Sequence, residues 1–492
     1  MSKKIKKTKK AVAENDQPQC GLCAKRFLAG SERGSTMTKA MPSPRSWLLV
    51  LLVSLFALFP VMSKAGDGDL SIYQLSNGLK IYVIEKHTAP VASVQIWYHT
   101  GSLNEHPGIR GLSHLFEHMM FRGSEHFGPE EHFRRISQVG GSNNAYTAED
   151  VTVYLQIVPV QAVDLVMEME ADRMARLKLD EEILRTEIEV VKEEYRVNYE
   201  NNPFSRLLLQ FAKQYFGDHP YSYGVIGNMN DLDTVSVATC LDYYRTRYAP
   251  NNAALVIAGD VEPGQVLEMA ERHFGPILPC DGIRPDPPPP TPKPPPELLG
   301  KEDLPVPLTG IAYRLPPAGD PDIPALGVAI SILSKRLEQR LTRESSICVY
   351  LSTETMIFRQ ASVVGIIGAH LPNISHKKVR QAIDAEIASF LAEPLSLEEL
   401  DRTRNQTLLG ETIGRSQVES IAEGVGNALF VAGELERYTK RLDNLAALTP
   451  ETIVETARRY LTPENRTEIL IEPKHPSFLL KLAGWLKAIL HI

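Results

Sequence analysis

The alternation of apolar and polar positions predicts a mixed arrangement of strands and helices between residues 66 and 280. Apolar positions at a period of two are typical of strands, and a period of 3.6 is typical of helices. The predicted strands are 72–75, 79–84, 92–98, 143–159 and 253–258, and the predicted helices are 112–120, 130–139, 163–177 and 181–198. This alternation of elements favours sheets packed against helices.

A proline-rich stretch separates this region from a second region of similar pattern. Residues 284–298 contain nine prolines, which fix φ and favour an extended spacer. The sequence RYAPNNAALVI at 247–257 has a counterpart, RYLTPENRTEILI, at 459–471, and each follows a helical pattern. The chain is therefore predicted to be α+β, with two homologous α/β halves in which a mixed or antiparallel sheet packs against helices. The predicted boundaries are 66–280 for the first half, 281–300 for the linker and 301–475 for the second half.

The composition excludes several classes of protein. With 492 residues the chain can build two cores, and a formal net charge of −7 without a basic, aromatic-rich stripe argues against a nucleic-acid partner. Only Cys240, Cys280 and Cys348 follow residue 65, so the fold cannot depend on a disulfide framework. Cys20 and Cys23 form a CxxC without a second pair, which by itself carries little information about a zinc or redox role.

The first 65 residues differ from the rest of the chain. Residues 1–45 are lysine-rich without an apolar period, which predicts disorder, and we interpret 1–36 as an over-long gene model. The uncharged run 47–62, followed by small residues, predicts a signal peptide over 46–65 with cleavage after Ala65. The run is short for a spanning helix, which needs about 20 apolar residues, and a retained anchor is the alternative. We therefore expect export, to the bacterial periplasm or cell envelope.

The chain ends in an amphipathic pattern. After Pro476, residues 477–492 place Lys481 and Lys487 opposite an apolar side. The apolar positions are Phe478, Leu482, Trp485, Leu486 and Ile489. A helix of this kind either docks on the protein or lies in a membrane interface, where tryptophan and lysine suit the headgroups. Both interpretations stay open, and the second predicts a peripheral membrane contact.

The clearest chemical signal is the sequence GLSHLFEHMMFRGSEH at 111–126. His114, Glu117 and His118 lie at i, i+3 and i+4, so a helix puts two imidazoles and one carboxylate on a single face. Such ligands suit Zn²⁺, which in catalytic sites keeps one position for water. The order HxxEH inverts the commoner HExxH, and its glutamate acts on water instead of ligating the metal. Glu117 is therefore the predicted general base; a solvated helical turn is the alternative.

A third metal ligand must come from another part of the chain. The acidic helix predicted over 182–194 carries Glu187 and Glu194 seven residues apart, which is two helical turns and therefore one side. Glu189 and Glu193 point elsewhere on the same helix. An ordinary charged helix face is the alternative interpretation.

These features resemble the inverted-zincin peptidases of family M16, the group of pitrilysin, insulysin and mitochondrial processing peptidase, and most of all its short-chain bacterial (M16B-like) members. In that family a glutamate closing a segment like VVxEE follows HxxEH by about seventy-five residues, and Glu194 lies seventy-six residues after His118. The resemblance implies one zinc ion per chain, held by His114, His118 and Glu194. It also implies that Glu187 braces the site, as acids that orient metal ligands do.

The family has a further element, NAxTxxDxTxY. Its counterparts here are Asn144, Ala145, Thr147, Asp150, Thr152 and Tyr154. The resemblance implies that Asn144 and Ala145 lie on a strand edge beside the metal and bind the substrate backbone. An unpaired edge offers N–H and C=O groups to an extended peptide. The alternative is a core strand with polar residues on one face.

The second half has no HxxEH but carries an arginine and a tyrosine at the family's separation of seven residues. Arg343 and Tyr350 correspond to the pair in segments like REKxGLAY. The resemblance implies that they hydrogen-bond the substrate carbonyl and stabilise the developing oxyanion. Ile347 and Cys348 replace the family's Gly-Leu, and the alternative is a surface arginine and a packed tyrosine.

Together the resemblance implies an exported zinc metalloendopeptidase whose two halves form a clamshell-type chamber and which hydrolyses extended peptides or unfolded polypeptides. We expect a homodimer, because one chain carries both the metal motif and the Arg343–Tyr350 pair. A heterodimer with a paralogous M16 subunit is the alternative. The alternative function is that of a non-catalytic assembly or peptide-binding subunit, which would not turn over an unstructured substrate.

Overall fold

Two β-sheets, one in each half of the chain, position the residues of interest. The computed structural model describes residues 63–65, 68–290 and 295–475. The predictions for the lead 1–45, the apolar run 47–62 and the tail 476–492 lie outside the described residues. Within the described part of the chain, no helix combines the length and the apolar character needed to cross a membrane.

The first half follows the predicted alternation of strands and helices. Its strands are β1 (Ser63–Ala65), β2 (Gly68–Gln74), β3 (Lys80–Glu85), β4 (Val91–Tyr98), β5 (Ser142–Thr147), β6 (Thr152–Pro159) and β7 (Ala253–Gly259). Its helices are α1 (Leu112–Met119), α2 (Glu131–Gln138), α3 (Val163–Arg176), α4 (Glu181–Tyr195), α5 (Pro203–Phe216), α6 (Met229–Thr234), α7 (Val237–Arg247) and α8 (Pro263–Phe274).

The second half repeats this succession without a counterpart of β1 and β2. Its strands are β8 (Glu297–Glu302), β9 (Leu308–Leu315), β10 (Tyr350–Met356), β11 (Ser362–Ala369) and β12 (Arg466–Pro473). Its helices are α9 (Ile323–Glu338), α10 (His376–Ala392), α11 (Leu397–Gly414), α12 (Val418–Phe430), α13 (Glu436–Thr439), α14 (Arg441–Ala446) and α15 (Pro450–Tyr460).

The order of strands confirms the predicted fold class of two homologous halves with mixed sheets. The first sheet runs β1-β2-β3-β7-β4-β6-β5 and the second β10-β11-β9-β12-β8. Read from the opposite edge, the second sheet has the order β8-β12-β9-β11-β10, which repeats β3-β7-β4-β6-β5. In each sheet one pair is parallel, β3 with β7 and β8 with β12, and the other pairs are antiparallel.

Two asparagines make the duplication visible at the level of side chains. Asn252, which precedes β7, donates from its amide to the carbonyls of Arg247 and His99. Asn465, which precedes β12, donates in the same way to the carbonyls of Tyr460 and Arg314. Each amide thus joins the end of a helix to the neighbouring antiparallel strand, at the positions that the sequence repeat predicts to correspond.

The single strand predicted over 143–159 is wrong, because the chain forms a hairpin there. β5 and β6 are antiparallel, and residues 148–151 form the connection. The carboxylate of Asp150 holds this connection: it accepts from the hydroxyl of Tyr221 at 2.7 Å and from the backbone N–H of Arg359 at 2.9 Å. As a result β5 becomes the edge strand of the first sheet.

The two faces of the first sheet are covered by different halves of the chain. Helices α1, α3, α4, α7 and α8 pack on one face. Helix α12 of the second half packs on the other, with Ile421 and Val425 fully buried and Gly426 directly against the indole of Trp97. Conversely, α5 of the first half packs against the second sheet. Each half therefore supplies a helix that covers the sheet of the other.

The proline-rich connection is attached to the body of the protein at its start. Asp286 accepts from the Asn104 amide at 2.9 Å, and the carbonyl of Pro287 accepts from Gln360 at 2.7 Å. β8 begins at Glu297, inside the segment predicted as linker. Within the described residues the connection therefore lies along both halves, and its last residues join the second sheet.

Candidate metal centre and active site

Helix α1 starts at a buried carboxylate that the sequence does not reveal. Gly111, with a φ of +94°, occupies the N-cap position. Glu105 is 4% exposed, and its two carboxylate oxygens accept from the N–H groups of Gly111 and Ser113 at 2.6 and 2.7 Å. These N–H groups have no partner within the helix, so the carboxylate satisfies them. Burial raises the pKa of Glu105 to about 7 in spite of these bonds.

The packing of α1 decides which side chains remain free for chemistry. Leu112, Leu115, Phe116 and Met119 are fully buried in the core of the first half. The histidines follow the remaining face, and their ring centroids lie 4.8 Å apart. This is the arrangement that the i, i+4 spacing predicts.

Helix α4 brings two carboxylates to the histidines. Glu194 Oε2 lies 3.7 Å from His114 Nε2 and 3.4 Å from His118 Nε2. One ligand atom from each of these three residues lies within 4.8 Å of the others. Glu189 and Glu193 instead pair with Lys192 and Arg196 on the exposed side of the helix, at 2.9 Å in both cases.

Glu187 lies next to His118 and is more deeply buried than the three residues of the cluster. Its side chain is 1% exposed, and Oε2 lies 3.7 Å from Nδ1 of His118, so each ring nitrogen of that histidine faces a carboxylate. Arg122 Nε lies 2.6 Å from Glu187 Oε1 and balances its charge. Glu187, held in place by Arg122, therefore fixes the orientation of the His118 ring on the side away from Glu194.

The electrostatics of the two histidines differ. Burial, with the adjacent His118 ring, lowers the pKa of His114 to about 4 and keeps that ring neutral. Burial would also lower the pKa of His118, but the carboxylates of Glu187 and Glu194 outweigh it and raise the pKa to about 9. In turn His118 lowers the pKa of Glu194. The cluster therefore attracts positive charge, whether a proton or a metal ion.

The donor set fits zinc. Two imidazoles and one carboxylate are ligands that zinc takes in catalytic sites. Ligand atoms at ~2.0–2.2 Å around a tetrahedral ion lie about 3.3–3.6 Å from one another. The distances of 3.4 and 3.7 Å from Glu194 to the two histidines are close to this spacing.

Glu117 belongs to the same helix but not to the cluster. Its Oε2 accepts a 2.7 Å hydrogen bond from the hydroxyl of Thr147 at the end of β5. Burial raises the pKa of Glu117, while the bond from Thr147 opposes that rise. The carboxylate is thus held beside the histidines by the edge strand.

A cleft of about 300 Å³ opens beside these residues. Its lining residues are Glu117, His118, Phe121, Arg122, Glu130, Phe133, Asn144, Ala145 and Glu187. Asn144 and Ala145 lie on β5, which pairs with β6 on one side only. The predicted substrate-binding residues are therefore on a sheet edge that borders the cleft.

The structure does not bring Arg343 and Tyr350 to this cleft. Arg343 lies in a single π-helical turn after α9, where its guanidinium is 2.7 Å from Glu338 and its side chain is 67% exposed. Tyr350 begins β10 and is 64% exposed. Neither residue contributes to the lining of the cleft, and their role in the reaction stays a prediction.

Three residues that shape the site were not assigned a role from the sequence. Glu105 caps α1, Arg122 pairs with Glu187, and Thr147 binds Glu117. Thr147 belongs to a recognised motif, which marks the position without revealing its partner. Glu105 and Arg122 lie outside the helix and carry no sequence signal for their contacts.

Comparison with protein families finds two matches, which follow one another along the chain. Residues 80–227 match the family described as Insulinase (Peptidase family M16). Residues 234–407 match the family described as Peptidase M16 inactive domain. The histidines and the acidic helix fall in the first match.

Individual proteins of similar sequence and structure agree with these matches. The zinc protease PqqE of Helicobacter pylori is 24% identical over 436 residues, which cover 86% of this chain and 97% of that protein. An uncharacterized zinc protease of Mycobacterium leprae is 24% identical, with 80% of this chain and 90% of the relative covered. The crystal structure of a protease from Helicobacter pylori superposes with a TM-score of 0.75 at 24% identity and covers 82% of this chain and 99% of its own.

Proposed function

Because the chain belongs to peptidase family M16, we propose that it is an exported zinc-dependent endopeptidase acting on extended peptides or unfolded polypeptides. The observation that supports this most directly is the meeting of His114, His118 and Glu194. Glu117 lies on the same helix as the histidines and lines a cleft together with His118. In this proposal the first three residues hold one zinc ion and Glu187 orients His118. The inactive-domain match, residues 234–407, begins after all of these residues and extends into the second half.

The proposed chemistry gives Glu117 the central task. A bound zinc ion would supply a Lewis acid that polarises the scissile carbonyl and acidifies water. Glu117 then takes a proton from the attacking water and returns it to the leaving amine. Its burial and raised pKa suit a group that must both accept and donate a proton, and Thr147 holds the carboxylate in place.

The proposed substrate is an extended backbone. The free side of β5 offers unpaired N–H and C=O groups, and Asn144 and Ala145 border the cleft. A peptide that adds to this edge would be bound through its main chain, with little demand on its sequence. The scissile bond would then lie next to Glu117.

We further propose that Arg343 and Tyr350 act across a homodimer. Both are largely exposed and lie away from the cleft of their own chain, so a second copy could present them to it. There they would stabilise the oxyanion, as the family resemblance implies. Export rests on the apolar run 47–62, which is outside the described residues.

Two variants test the proposal. In Glu117→Gln, zinc content by mass spectrometry should stay at the wild-type level while cleavage of casein falls by at least ~10². In His118→Ala, both metal and cleavage should be lost. If Glu117→Gln loses the metal, Glu117 is a ligand and the assigned roles are wrong. A zinc-loaded wild-type homo-oligomer that cuts casein neither alone nor with a paralogous M16 subunit would instead identify the protein as a non-catalytic subunit.

A further inference from the structure

An apolar groove lies between helix α5 and the second sheet. The helix contributes a stripe at helical spacing, made of Phe204, Leu207, Leu208 and Phe211. Strands β8 to β12 form the opposite wall with mostly aliphatic residues, among them Leu298, Leu299, Leu308, Ile367, Ile469 and Ile471. Phe204, Leu208 and Leu299 are 53%, 45% and 60% exposed, so the groove is not closed by the described residues.

The other half of the protein shows what a closed version looks like. By their order along the chain, α11 of the second half corresponds to α4 of the first half, and α12 corresponds to α5. Helix α12 buries Ile421, Ala422 and Val425 completely on the first sheet. Helix α5 buries only Tyr215 and Phe216, near its C-terminal end. An exposed apolar surface of this kind usually marks a binding site.

The chain itself leaves the described structure at the rim of this groove. Ile469 and Ile471 of β12 line the groove, and β12 ends at Pro473. The next residue, Lys474, is attached to Glu302 twice, from its N–H to the Glu302 carbonyl at 2.7 Å and from Nζ to the carboxylate at 2.8 Å. The same carboxylate accepts from Arg206 of α5 at 2.7 Å. The point of departure is thus fixed next to α5.

We propose that residues 476–492 of the same chain bind in this groove. The segment lies outside the described residues, and its sequence carries apolar side chains at helical spacing, including Phe478, Leu482 and Trp485. Sixteen residues of helix would extend about 24 Å. Five strands at about 4.8 Å spacing make a sheet about 19 Å across. The segment is therefore long enough to cover the groove, and only Lys474 and His475 separate it from β12.

Charge supports the same occupant. The polar positions that line the groove include Glu354 on the exposed edge strand β10. The segment carries Lys481 and Lys487 opposite its apolar side. With the apolar side in the groove, the lysines remain in solvent, and no basic residue among the described residues that line the groove opposes them. This proposal selects docking on the protein over the membrane interface as the role of the segment.

Fluorine NMR on the full chain can test the proposal. The protein has three tryptophans, so labelling with 5-fluorotryptophan gives at most three signals, and Trp485→Phe identifies the signal of Trp485. We expect this signal to be protected from a soluble paramagnetic reagent. The variant Leu208→Glu, which places a charge in the groove, should abolish the protection. Leu409→Glu, which changes a 61% exposed leucine of α11 outside the groove, should leave it unchanged.

The signal of Trp97, which is fully buried, shows whether each variant is folded. If Leu208→Glu does not fold, Leu299→Glu changes a more exposed position of the same groove and should have the same effect. A Trp485 signal that is unprotected in the wild type overturns the proposal. Two other results also overturn it. In the first, the Trp485 signal is protected only when anionic lipid vesicles are present, and Leu208→Glu does not change this protection. In the second, the protection is lost when dimers are diluted to monomers. These last two outcomes identify a membrane and a second copy as the occupant.

Discussion

The hydroxyl of Thr147 donates to the carboxylate of Glu117 over 2.7 Å and so joins the edge strand β5 to the helix of the histidines. We predict that Thr147→Val lowers turnover of casein while zinc content stays unchanged. A hydrogen bond to a charged group contributes about 1.5–3 kcal/mol, so the loss should be roughly tenfold to a hundredfold. Steady-state kinetics and metal analysis of the same preparation measure both quantities.

Thr147→Ser is the matched control, because it keeps the hydroxyl and removes only a methyl group. Its turnover should stay close to that of the wild type. Equal activity of the valine variant and the wild type would show that this bond does not position the base.

Glu187 is expected to act on metal affinity through His118. Replacing it by glutamine keeps its shape and removes the charge that faces Nδ1 of His118 and Arg122. Loss of an orienting acid typically weakens metal binding about 10–100-fold. Competition with a chelating dye would measure this change.

Glu189→Gln is the control on the same helix, since that carboxylate is 66% exposed and pairs only with Lys192 among the described contacts. It should not change zinc affinity. If Glu187→Gln binds zinc as tightly as the wild type does, Glu187 pairs with Arg122 but does not influence the metal.

The buried carboxylate of Glu302 should make stability depend on pH. Its hydrogen bond from Arg206, together with that from Lys474, lowers the pKa of Glu302 to about 2 from an ordinary 4.5. Because the pKa is lower in the folded state, the ionised form stabilises the fold above pH 4.5, and this contribution is lost as the pH falls toward 2. Glu302→Gln should therefore lower the free energy of unfolding on the order of 1–3 kcal/mol at pH 7.

Urea unfolding at several pH values would follow this effect. The difference between wild type and Glu302→Gln should shrink steadily as the pH is lowered from 4.5. The control Glu436→Gln removes an exposed carboxylate that pairs with Lys440 and should leave stability unchanged within the error of the measurement. If the difference in free energy of unfolding between the wild type and Glu302→Gln does not change with pH, the lowered pKa of Glu302 is wrong.

Gly426 is expected to tolerate no side chain. A Cβ at this position of α12 would overlap the indole of Trp97 on β4, and both residues lie in a closed interface between the halves. Gly426→Ala should cost about 1–3 kcal/mol through overpacking. Thermal unfolding measures the change.

Gly410→Ala is the comparison, since Gly410 is an exposed position inside α11 with no atom near the added methyl group. There alanine should stabilise the helix by up to about 1 kcal/mol. If both variants behave alike, the contact between Gly426 and Trp97 does not limit packing.

The sequence was sufficient for those features of the site that depend on helical period. His114 and His118 share a face because they are four residues apart, and Glu187 and Glu194 face His118 together because they are seven apart. Only the family resemblance distinguished Glu194, as the predicted ligand, from Glu187, as the acid that braces the site. The duplication was predictable from 247–257 and 459–471, since both copies keep the residues that end a helix and start a strand.

Features held by distant contacts were not predictable. The alternating pattern continues through 148–151, and the turn exists because Asp150 meets Tyr221 and the backbone of Arg359, which is 209 residues away. The two hydrogen bonds that Glu105 accepts from the start of α1 depend on a loop that folds back over six to eight residues. Neither arrangement leaves a periodic signal in the sequence.

The exchange of α5 and α12 between the two sheets has a consequence for dividing the gene. A chain cut between residues 290 and 295 would give two polypeptides, each lacking the helix that covers its own sheet. The first would expose Trp97 and its neighbours, and the second would expose Ile469 and Ile471. Such fragments are expected to aggregate when made separately and to complement each other when made together. The single chain thus corresponds to two subunits that are joined by a linker.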